Sequence, residues 1–298
     1  MKCFLLLALF SLSAGLPLQG LRGNDFELFN NLTKKLRRPS DLIFGGDHAK
    51  QGQWPWQAFL IMTNFEGGTY ICGGSLISKK HVLTAAHCTD TLDLRSPSIV
   101  MFGVVDVESA WNTPGAQLKK IRSFVEKDGY DGNSSALYDD IAIITLDSEV
   151  KITKDVQIVK IKKDDEKIVA TPKDTVSGFG TYMFKDGVPV TSDSPLRRSG
   201  PYRPRVVKRW ARVTRNRVQV WNKQICAGSN RKGTGPGDSG GPIQVNVDGE
   251  WFQIGLTSFG VDAYPQIMFQ DDYPAVYTRV SAYCDFIEQQ TQNAFYCL

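Results

Sequence analysis

A histidine and a serine stand out in this sequence because their neighbours suit both to nucleophilic chemistry. His87 lies in Leu-Thr-Ala-Ala-His-Cys, and an imidazole titrates near neutral pH, which makes it a natural general base. Ser239 lies in Gly-Asp-Ser-Gly-Gly-Pro, whose glycines permit a tight turn with backbone amides that can stabilise an oxyanion. Either motif alone also fits a structural histidine or a solvated loop. The two together predict acyl transfer by a serine nucleophile.

Further motifs occur in a fixed order along the chain. They are Ile43-Phe44-Gly45-Gly46, Trp54-Pro55-Trp56-Gln57, Cys72-Gly73-Gly74-Ser75-Leu76, Asp140-Ile141-Ala142-Ile143, Ser258-Phe259-Gly260 and Pro274-Ala275-Val276-Tyr277. With the histidine and serine motifs they make residues 43–298 resemble the chymotrypsin-type (trypsin-like) serine protease family. The resemblance implies an all-β fold of two antiparallel six-stranded β-barrels with a C-terminal helix.

The chain between these motifs favours the same fold class. Short apolar runs alternate with Gly, Pro, Asn and Asp, which is typical of β proteins. Alternating apolar residues in 243–247 and 252–256 flank Asp248-Gly249 and predict a hairpin. A Lys-rich stretch predicts the boundary between an N-terminal barrel, 43–165, and a C-terminal barrel with the final helix, 166–298.

The resemblance implies a role for each residue of the catalytic centre. Ser239 is expected to be the nucleophile, His87 the general base, and Asp140 the acid that orients the imidazole. Asp139 precedes the family's Asp-Ile pair, so we expect it to be solvated. The backbone amides of Gly237 and Ser239 are expected to form the oxyanion hole.

Activation by proteolysis also follows from the resemblance. Cleavage before Ile43 would create an ammonium group that pairs with the buried Asp238 carboxylate and orders the oxyanion loop. The residue before that bond is Leu42 rather than Lys or Arg. We therefore expect an activating protease that prefers large apolar residues, or self-cleavage.

The primary specificity pocket can be located by counting back without gaps from the nucleophile. Gly233 then lies at the base, where trypsin-like members have an Asp, and Ser258, Phe259, Gly260 and Ala275 form the walls. A desolvated pocket without a carboxylate does not offset the burial of a substrate cation. We therefore expect large apolar residues, as in chymotrypsin- or elastase-like enzymes.

One loop leaves this expectation open. It precedes Pro274, is longer than usual in the family, and contains Asp262, Asp271 and Asp272. Any of these carboxylates that reached the rim of the pocket would add a negative charge there.

The cysteines match the family only in part. The resemblance implies a disulfide between Cys72 and Cys88, next to the histidine motif. Gly235 replaces the cysteine usual before the nucleophile, so the bridge beside the pocket is absent. The pairing of Cys226, Cys284 and Cys297 stays open, because sequence does not determine connectivity.

The first 42 residues do not resemble the protease domain. Residues 1–15 have the charge and apolar run of a signal peptide, and 16–42 read as a propeptide with nothing that could bury a face. Asn31 and Asn133 begin glycosylation acceptors and require surface positions. We therefore expect a secreted, extracellular glycoprotein, made as a zymogen, with no membrane span.

Charge and composition exclude several partners. The 298 residues carry 35 Lys plus Arg and 31 Asp plus Glu, a net charge of +4 that is too small to indicate nucleic-acid binding.

The segment from Arg197 to Arg217 holds nine basic residues and no acid. It fits a solvated surface segment, an exosite for sulfated glycans or acidic proteins, or a site of nicking.

No cofactor or metal is expected. His48 and His81 are isolated from any His or Cys pair, and Val104 replaces the acid at the start of the family's calcium loop. The sequence thus predicts a secreted serine endopeptidase that acts on protein or peptide substrates. The alternative is a non-catalytic homologue that binds a partner, and the presence of all three triad residue types disfavours it.

Overall fold

The computed structural model describes residues 27, 28, 30–32, 47–107, 110–170, 174–180, 183–185, 188–190, 196–202 and 220–298. The described strands, β1 to β15, are Asp47–His48, Gln57–Thr63, Thr69–Leu76, His81–Thr84, Ile99–Phe102, Gln117–Glu126, Ala142–Leu146, Asp174–Ser177, Met183–Lys185, Val188–Val190, Leu196–Tyr202, Gln224–Ala227, Pro242–Val247, Glu250–Phe259 and Ala275–Arg279. Among the described residues, α-helices span Glu166–Val169 and Cys284–Gln290, and 3₁₀ turns span Ala86–Cys88, Ala110–Asn112, Gln266–Met268 and Val280–Tyr283.

The N-terminal half is a closed six-stranded barrel in the order β2-β3-β4-β7-β6-β5. Side chains alternate along each strand, so that Leu60, Leu76, Val100 and Ile144 from four strands meet in one fully buried cluster. Closure removes the sheet edges and fixes the strand ends that lead into the active-site loops. The prediction of an N-terminal barrel is confirmed.

The C-terminal half contains a seven-stranded antiparallel sheet in the order β1-β11-β8-β13-β14-β15-β12. It has one strand more than the six expected, because Asp47–His48 adds to its edge by pairing with β11. The predicted hairpin joins β13 to β14, with Asp248 and Gly249 at the positive φ angles of 52° and 88° that its turn requires. The all-β class and the C-terminal helix are confirmed.

Only part of the basic stretch lies in this sheet. Its first residues belong to β11, and residues 203–219 lie outside the described residues. The chain between the halves runs from β7 to β8 and includes the boundary expected near residue 165. Asp165 itself is buried and forms an ion pair with Arg279, which ties this connection to the C-terminal sheet.

A buried polar network joins the two halves. Trp56 donates to the Gln244 side chain at 2.6 Å, Gln244 donates to Ser177 at 3.0 Å, and Ser177 donates to Gln57 at 2.6 Å. The first and last of these bonds cross between the halves, and the middle bond connects them within the C-terminal half. The network therefore fixes the position of the cleft between the halves.

The structure decides the cysteine pairing that the sequence left open. Cys72 pairs with Cys88, as the resemblance implied, and Cys284 pairs with Cys297 across the C-terminal helix. Cys226 is free and buried, and burial raises the pKa of its thiol to about 12. The two disulfides therefore leave one inert buried thiol among the described cysteines.

The leader contradicts one expectation. Residues 27, 28 and 30–32 are helical, Leu32 is only 2% exposed, and Leu28 packs beside it against the N-terminal barrel. The statement that nothing in 16–42 could bury a face was wrong, because two leucines four residues apart share one side of a helix. Asn31 is exposed on this segment, as is Asn133 elsewhere, although their glycosylation stays a prediction.

Among the described residues, no helix is both long and apolar enough to span a bilayer.

Candidate active site

His87 and Asp140 meet at the edge of the closed barrel. His87 lies in the 3₁₀ turn after β4, and Asp140 lies just before β7, the neighbouring strand. The two oxygens of Asp140 accept hydrogen bonds from the His87 ring Nδ1 at 2.8 Å and from the His87 backbone amide at 2.9 Å. The Asp140 side chain is fully buried, whereas 22% of the imidazole is exposed. The carboxylate thus orients the ring, whose Nε2 atom lies 3.9 Å from the Cys88 Sγ atom.

The C-terminal half also holds Asp140. The Ser258 hydroxyl donates to Oδ2 of Asp140, and the Thr278 hydroxyl donates to its backbone carbonyl at 2.8 Å. Ser258, expected in the pocket wall, therefore has a second contact that the sequence did not indicate. Asp139 is not solvated as expected, since its side chain is only 14% exposed and pairs with Lys223 at 3.3 Å.

Opposing effects set the pKa of the imidazole. Burial alone lowers the pKa of His87, but the charge and hydrogen bond of Asp140, with the charge of Asp90, raise it above its ordinary value overall. A base with a raised pKa takes up a proton more readily, and the resulting imidazolium is stabilised by the buried carboxylate.

The loop that carries Ser239 has two unused backbone donors. The amides of Asp238, Gly240 and Gly241 all donate to backbone carbonyls. Within the described part of the chain, the amides of Gly237 and Ser239 donate to no protein acceptor. Gly237 has a φ of +93°, which a side chain would strain. These are the two amides that the resemblance assigns to the oxyanion hole.

The nucleophile loop packs directly on the other barrel. The Gly73 amide donates to the Ser239 carbonyl at 2.7 Å, and a Cβ added to Gly73 would lie 2.8 Å from the Gly241 Cα, which explains the glycine at position 73. No hydrogen bond joins the Ser239 hydroxyl to His87 in the described structure. The structure therefore brings the loop and the histidine segment together but leaves this bond unformed.

The Asp238 carboxylate is enclosed by the chain after β8. It accepts hydrogen bonds from the Gly180 amide at 2.7 Å and the Gly235 amide at 3.0 Å. Burial raises the pKa of Asp238 to about 7, although both amides act to lower it. Ile43, the expected cationic partner, lies outside the described residues. The two neutral amides therefore do not fully offset the burial of the Asp238 carboxylate, and a cationic partner would offset it further.

A cavity of about 250 Å³ opens beside Ser239. Its lining mixes apolar and polar groups and comprises Thr234, Gly235, Pro236, Ser239, Thr257, Ser258, Phe259, Gly260, Val261, Asp262, Ile267 and Ala275. All four residues expected to form the pocket walls are among them. Gly233, expected at the base, is buried and does not line the cavity.

Gln270 packs against Gly233 and Thr234 beside the pocket, and the sequence did not indicate this contact. A Cβ added to Gly233 would lie 1.6 Å from the Gln270 Oε1 atom, so the glutamine amide occupies the volume of a side chain at that position. Its Nε2 donates to the Thr234 carbonyl at 2.7 Å, while Oε1 is buried without a hydrogen-bond partner. The unusual length of the loop before Pro274 was the only sequence signal for this arrangement.

The three acids of the loop before Pro274 differ in their distance from the pocket, because only one of them lines the cavity. Asp262 is exposed and lines the cavity, whereas Asp271 and Asp272 are exposed away from its lining. One carboxylate therefore reaches the rim of the pocket, and none of the three reaches its base.

One group of described residues has metal-ligand geometry. The ligand atoms of Cys72, His87 and Cys88 lie within 4.8 Å of one another. Both sulfurs belong to the disulfide and so offer no thiolate, which disfavours a metal here.

A buried aspartate that holds a histidine, close to a serine loop with free amides, is the arrangement of a serine hydrolase. Comparison with known proteins agrees: the chain matches the trypsin family over residues 43–287. It is similar to human serine protease 41, at 29% identity over 83% of this chain and 76% of that protein. It is also similar to human testisin, at 30% identity over 83% and 77%, and to phenoloxidase-activating factor 3 of Holotrichia diomphalia, at 30% over 84% and 72%. The chain belongs to the trypsin family of serine proteases.

Proposed function

We propose that this protein is a secreted serine endopeptidase, made as a zymogen, that cleaves peptide bonds after large apolar residues. The observation that carries the proposal is the Asp140 carboxylate, fully buried and committed by both oxygens to His87 and Ser258. A buried carboxylate is costly unless it has such partners, and these partners orient one histidine.

The mechanism follows from the donors and acceptors of the site. Ser239 attacks the carbonyl carbon of the substrate while Nε2 of His87 accepts its proton, and the amides of Gly237 and Ser239 bind the oxyanion. His87 then protonates the leaving amine, and water hydrolyses the acyl-enzyme by the same steps. The bond between Ser239 and His87 is expected to form on substrate binding, since catalytic hydrogen bonds often tighten only in the complex.

Activation is proposed to supply the missing charge at Asp238. Cleavage between Leu42 and Ile43 gives an ammonium group, and its pairing with Asp238 removes the penalty that raises the pKa of this buried carboxyl to about 7. The family match begins at residue 43, which supports this position for the new N-terminus. The activator is expected to prefer a large apolar residue, because Leu42 precedes the bond.

Substrate preference is proposed to arise from the neutral pocket. Ile267 and Ala275 present apolar groups to the cavity, and the uncharged amide of Gln270 packs beside it against Gly233. A substrate cation would lose its hydration without gaining a counter-charge at the base. The basic segment Arg197 to Arg217 is interpreted as a solvated surface segment, with an exosite for sulfated glycans or acidic proteins, or a site of nicking, as the alternatives.

The test combines processing with cleavage. The N-terminus of the secreted protein is sequenced, and the processed protein digests a mixed peptide library beside two variants, Ser239→Ala and the exposed-site control Ser148→Ala. We expect an N-terminus at Ile43 and apolar-directed cleavage that Ser239→Ala abolishes and Ser148→Ala retains. Cleavage that survives Ser239→Ala would overturn the enzyme assignment.

The non-catalytic alternative predicts a different pattern. A binding homologue would be processed at Ile43 yet cleave no peptide in any variant. The unformed bond between Ser239 and His87 is the observation that favours this alternative. A fluorophosphonate that labels the wild-type protein and fails to label Ser239→Ala would exclude it.

A further inference from the structure

The N-terminal barrel is apolar on its outside as well as its inside. Along β2, Leu60 and Met62 belong to the interior cluster, whereas the intervening Phe59 and Ile61 belong to a second cluster. Because successive side chains point to opposite faces of a strand, the second cluster lies on the outer face of the barrel. Its other members within the barrel come from β5, from β6 and from the loop between them, and are Ile99, Met101, Val104, Ala110, Ala116 and Leu118.

The leader covers this outer face. Leu32 is 2% exposed and belongs to the cluster, and Leu28 packs against it from one helical turn earlier. Glu27 and Asn31 are exposed, so the same short helix has an apolar side and a polar side. A glycan on Asn31 would project away from the barrel and is compatible with the contact.

The outer cluster extends to the loop that encloses Asp238. The Phe179 ring belongs to the cluster and contacts the Phe59 ring, with centroids 4.7 Å apart. Its neighbours Gly178 and Gly180 form the wall against the carboxylate, since a Cβ on either would come within 2.4 Å of Asp238 side-chain atoms. The leader helix, Phe179 and the Asp238 enclosure are therefore parts of one packed unit.

We propose that the leader, once cleaved, stays bound to the mature chain through residues 27–32 as a non-covalent second chain that keeps Phe179 and the Asp238 enclosure in place. The proposal rests on the proposed cleavage before Ile43 but not on catalysis. Residues 16–42 contain no cysteine, so a disulfide cannot retain the leader. Cleavage between Leu42 and Ile43 removes the covalent link to the leader, so Ile43 can move while the helix stays in place.

The binding step is tested in the inactive Ser239→Ala background, so that its result does not depend on peptidase activity. Residues 38–42 are replaced by an enteropeptidase recognition sequence, the protein is cleaved, and native size-exclusion fractions are analysed by intact mass. We expect the leader fragment to co-elute with the mature chain in equal amounts. Separation of the two fragments in native buffer would overturn the proposal.

An exchange experiment keeps the test independent of variant folding. A labelled synthetic peptide of residues 24–36 is added to the cleaved protein and its binding is followed by fluorescence anisotropy. We expect the peptide to exchange with the bound leader, a Leu28→Ser and Leu32→Ser peptide to bind at least tenfold more weakly, and an Asn31→Gln peptide to bind normally. Equal binding of all three peptides would contradict docking through the leucines.

The coupling to Asp238 is tested in the Ser239-intact protein. Dilution below the dissociation constant of the leader is expected to lower the rate of fluorophosphonate labelling, and added wild-type peptide is expected to restore it. A labelling rate that does not depend on the leader would overturn the coupling. Absence of labelling under all conditions would instead reject the proposed function, while the binding result would still stand.

Discussion

In the N-terminal barrel the strands close on themselves, Cys72 and Cys88 are joined, and the His87 and Asp140 contact is formed. In the described part of the C-terminal half, by contrast, Cys226 is unpaired and the buried Asp174 carboxyl has no hydrogen-bond partner. The general base and its acid are therefore fixed by several independent contacts. The Ser239 loop is held by backbone hydrogen bonds to Gly73 and Thr257 and by the buried Asp238 carboxylate, and the region beside the pocket relies on the side chain of Gln270.

This difference follows from the contacts found in place of the disulfide that relatives have beside the pocket. Where Gly235 stands in place of a cysteine, the loop around the pocket is held by the Gln270 amide and by the backbone bond from Arg231 to Met268. A hydrogen bond contributes about 1 kcal/mol, less than the ~2 to 5 kcal/mol of a disulfide in a small secreted domain. We expect changes in the C-terminal half to alter activity and specificity while the base and acid stay in place.

Asp140→Asn is expected to have the largest effect, a loss of kcat/KM of about 10⁴-fold. An amide has no negative charge to stabilise the imidazolium and permits the wrong ring tautomer, which is the result given by the serine protease template. The measurement is kcat/KM on a peptide selected from the library, with circular dichroism to verify the fold. Retention of more than a tenth of the activity would show that catalysis does not require the contact between His87 and Asp140.

Asp238→Asn is expected to lower kcat/KM by about 10² to 10³-fold. Removing one partner of a buried ion pair costs about 3–5 kcal/mol, and the variant would still be processed before Ile43. N-terminal sequencing and kinetics on the same sample check both statements. Normal turnover by the processed variant would contradict the proposed role of the ion pair between Ile43 and Asp238 in activation.

Asp174→Asn is expected to change stability and its dependence on pH. Burial raises the pKa of Asp174 to about 9, so the folded chain keeps a proton that the unfolded chain releases above about pH 4. Stability contributed by this group therefore falls as the pH rises from about 4 to 9. At about 1.4 kcal/mol per pH unit, the stability of the variant relative to wild type should rise by about 4 kcal/mol between pH 5 and pH 8.

Urea unfolding of both proteins in the Ser239→Ala background measures this change. The exposed turn variant Asp248→Asn is the matched control and should behave as wild type at both pH values. An equal effect of Asp174→Asn at pH 5 and pH 8 would contradict a neutral buried carboxyl.

Gln270→Ala is expected to have the smallest effect on total activity and to alter preference. Removing the amide opens space beside Gly233, so the ratio of kcat/KM for Trp over Leu substrates should rise about tenfold. Gln270→Met keeps the length of the side chain and should leave the ratio near wild type. An unchanged ratio in both variants would show that Gln270 does not limit the pocket.

Local sequence patterns were sufficient to predict the hairpin and the residues of the candidate centre. The alternation around Asp248-Gly249 specified a hairpin because strand and turn chemistry are local. The types and order of His87, Asp140 and Ser239 specified the candidate centre because a serine mechanism needs a base, an acid and a nucleophile of those types. The glycines beside Ser239 likewise indicated the free amides.

Contacts between distant segments were decided only by the tertiary structure. The placement of Gln270 against Gly233, the bond from Ser258 to Asp140, and the docking of Leu32 on the outer barrel face join residues far apart in the chain. Sequence pattern reports which faces are apolar and which groups are polar, but it does not report which surfaces meet. The sequence alone therefore predicted which residues form the candidate centre. Packing between the two halves and the leader decided what lies beside its pocket and what covers the barrel.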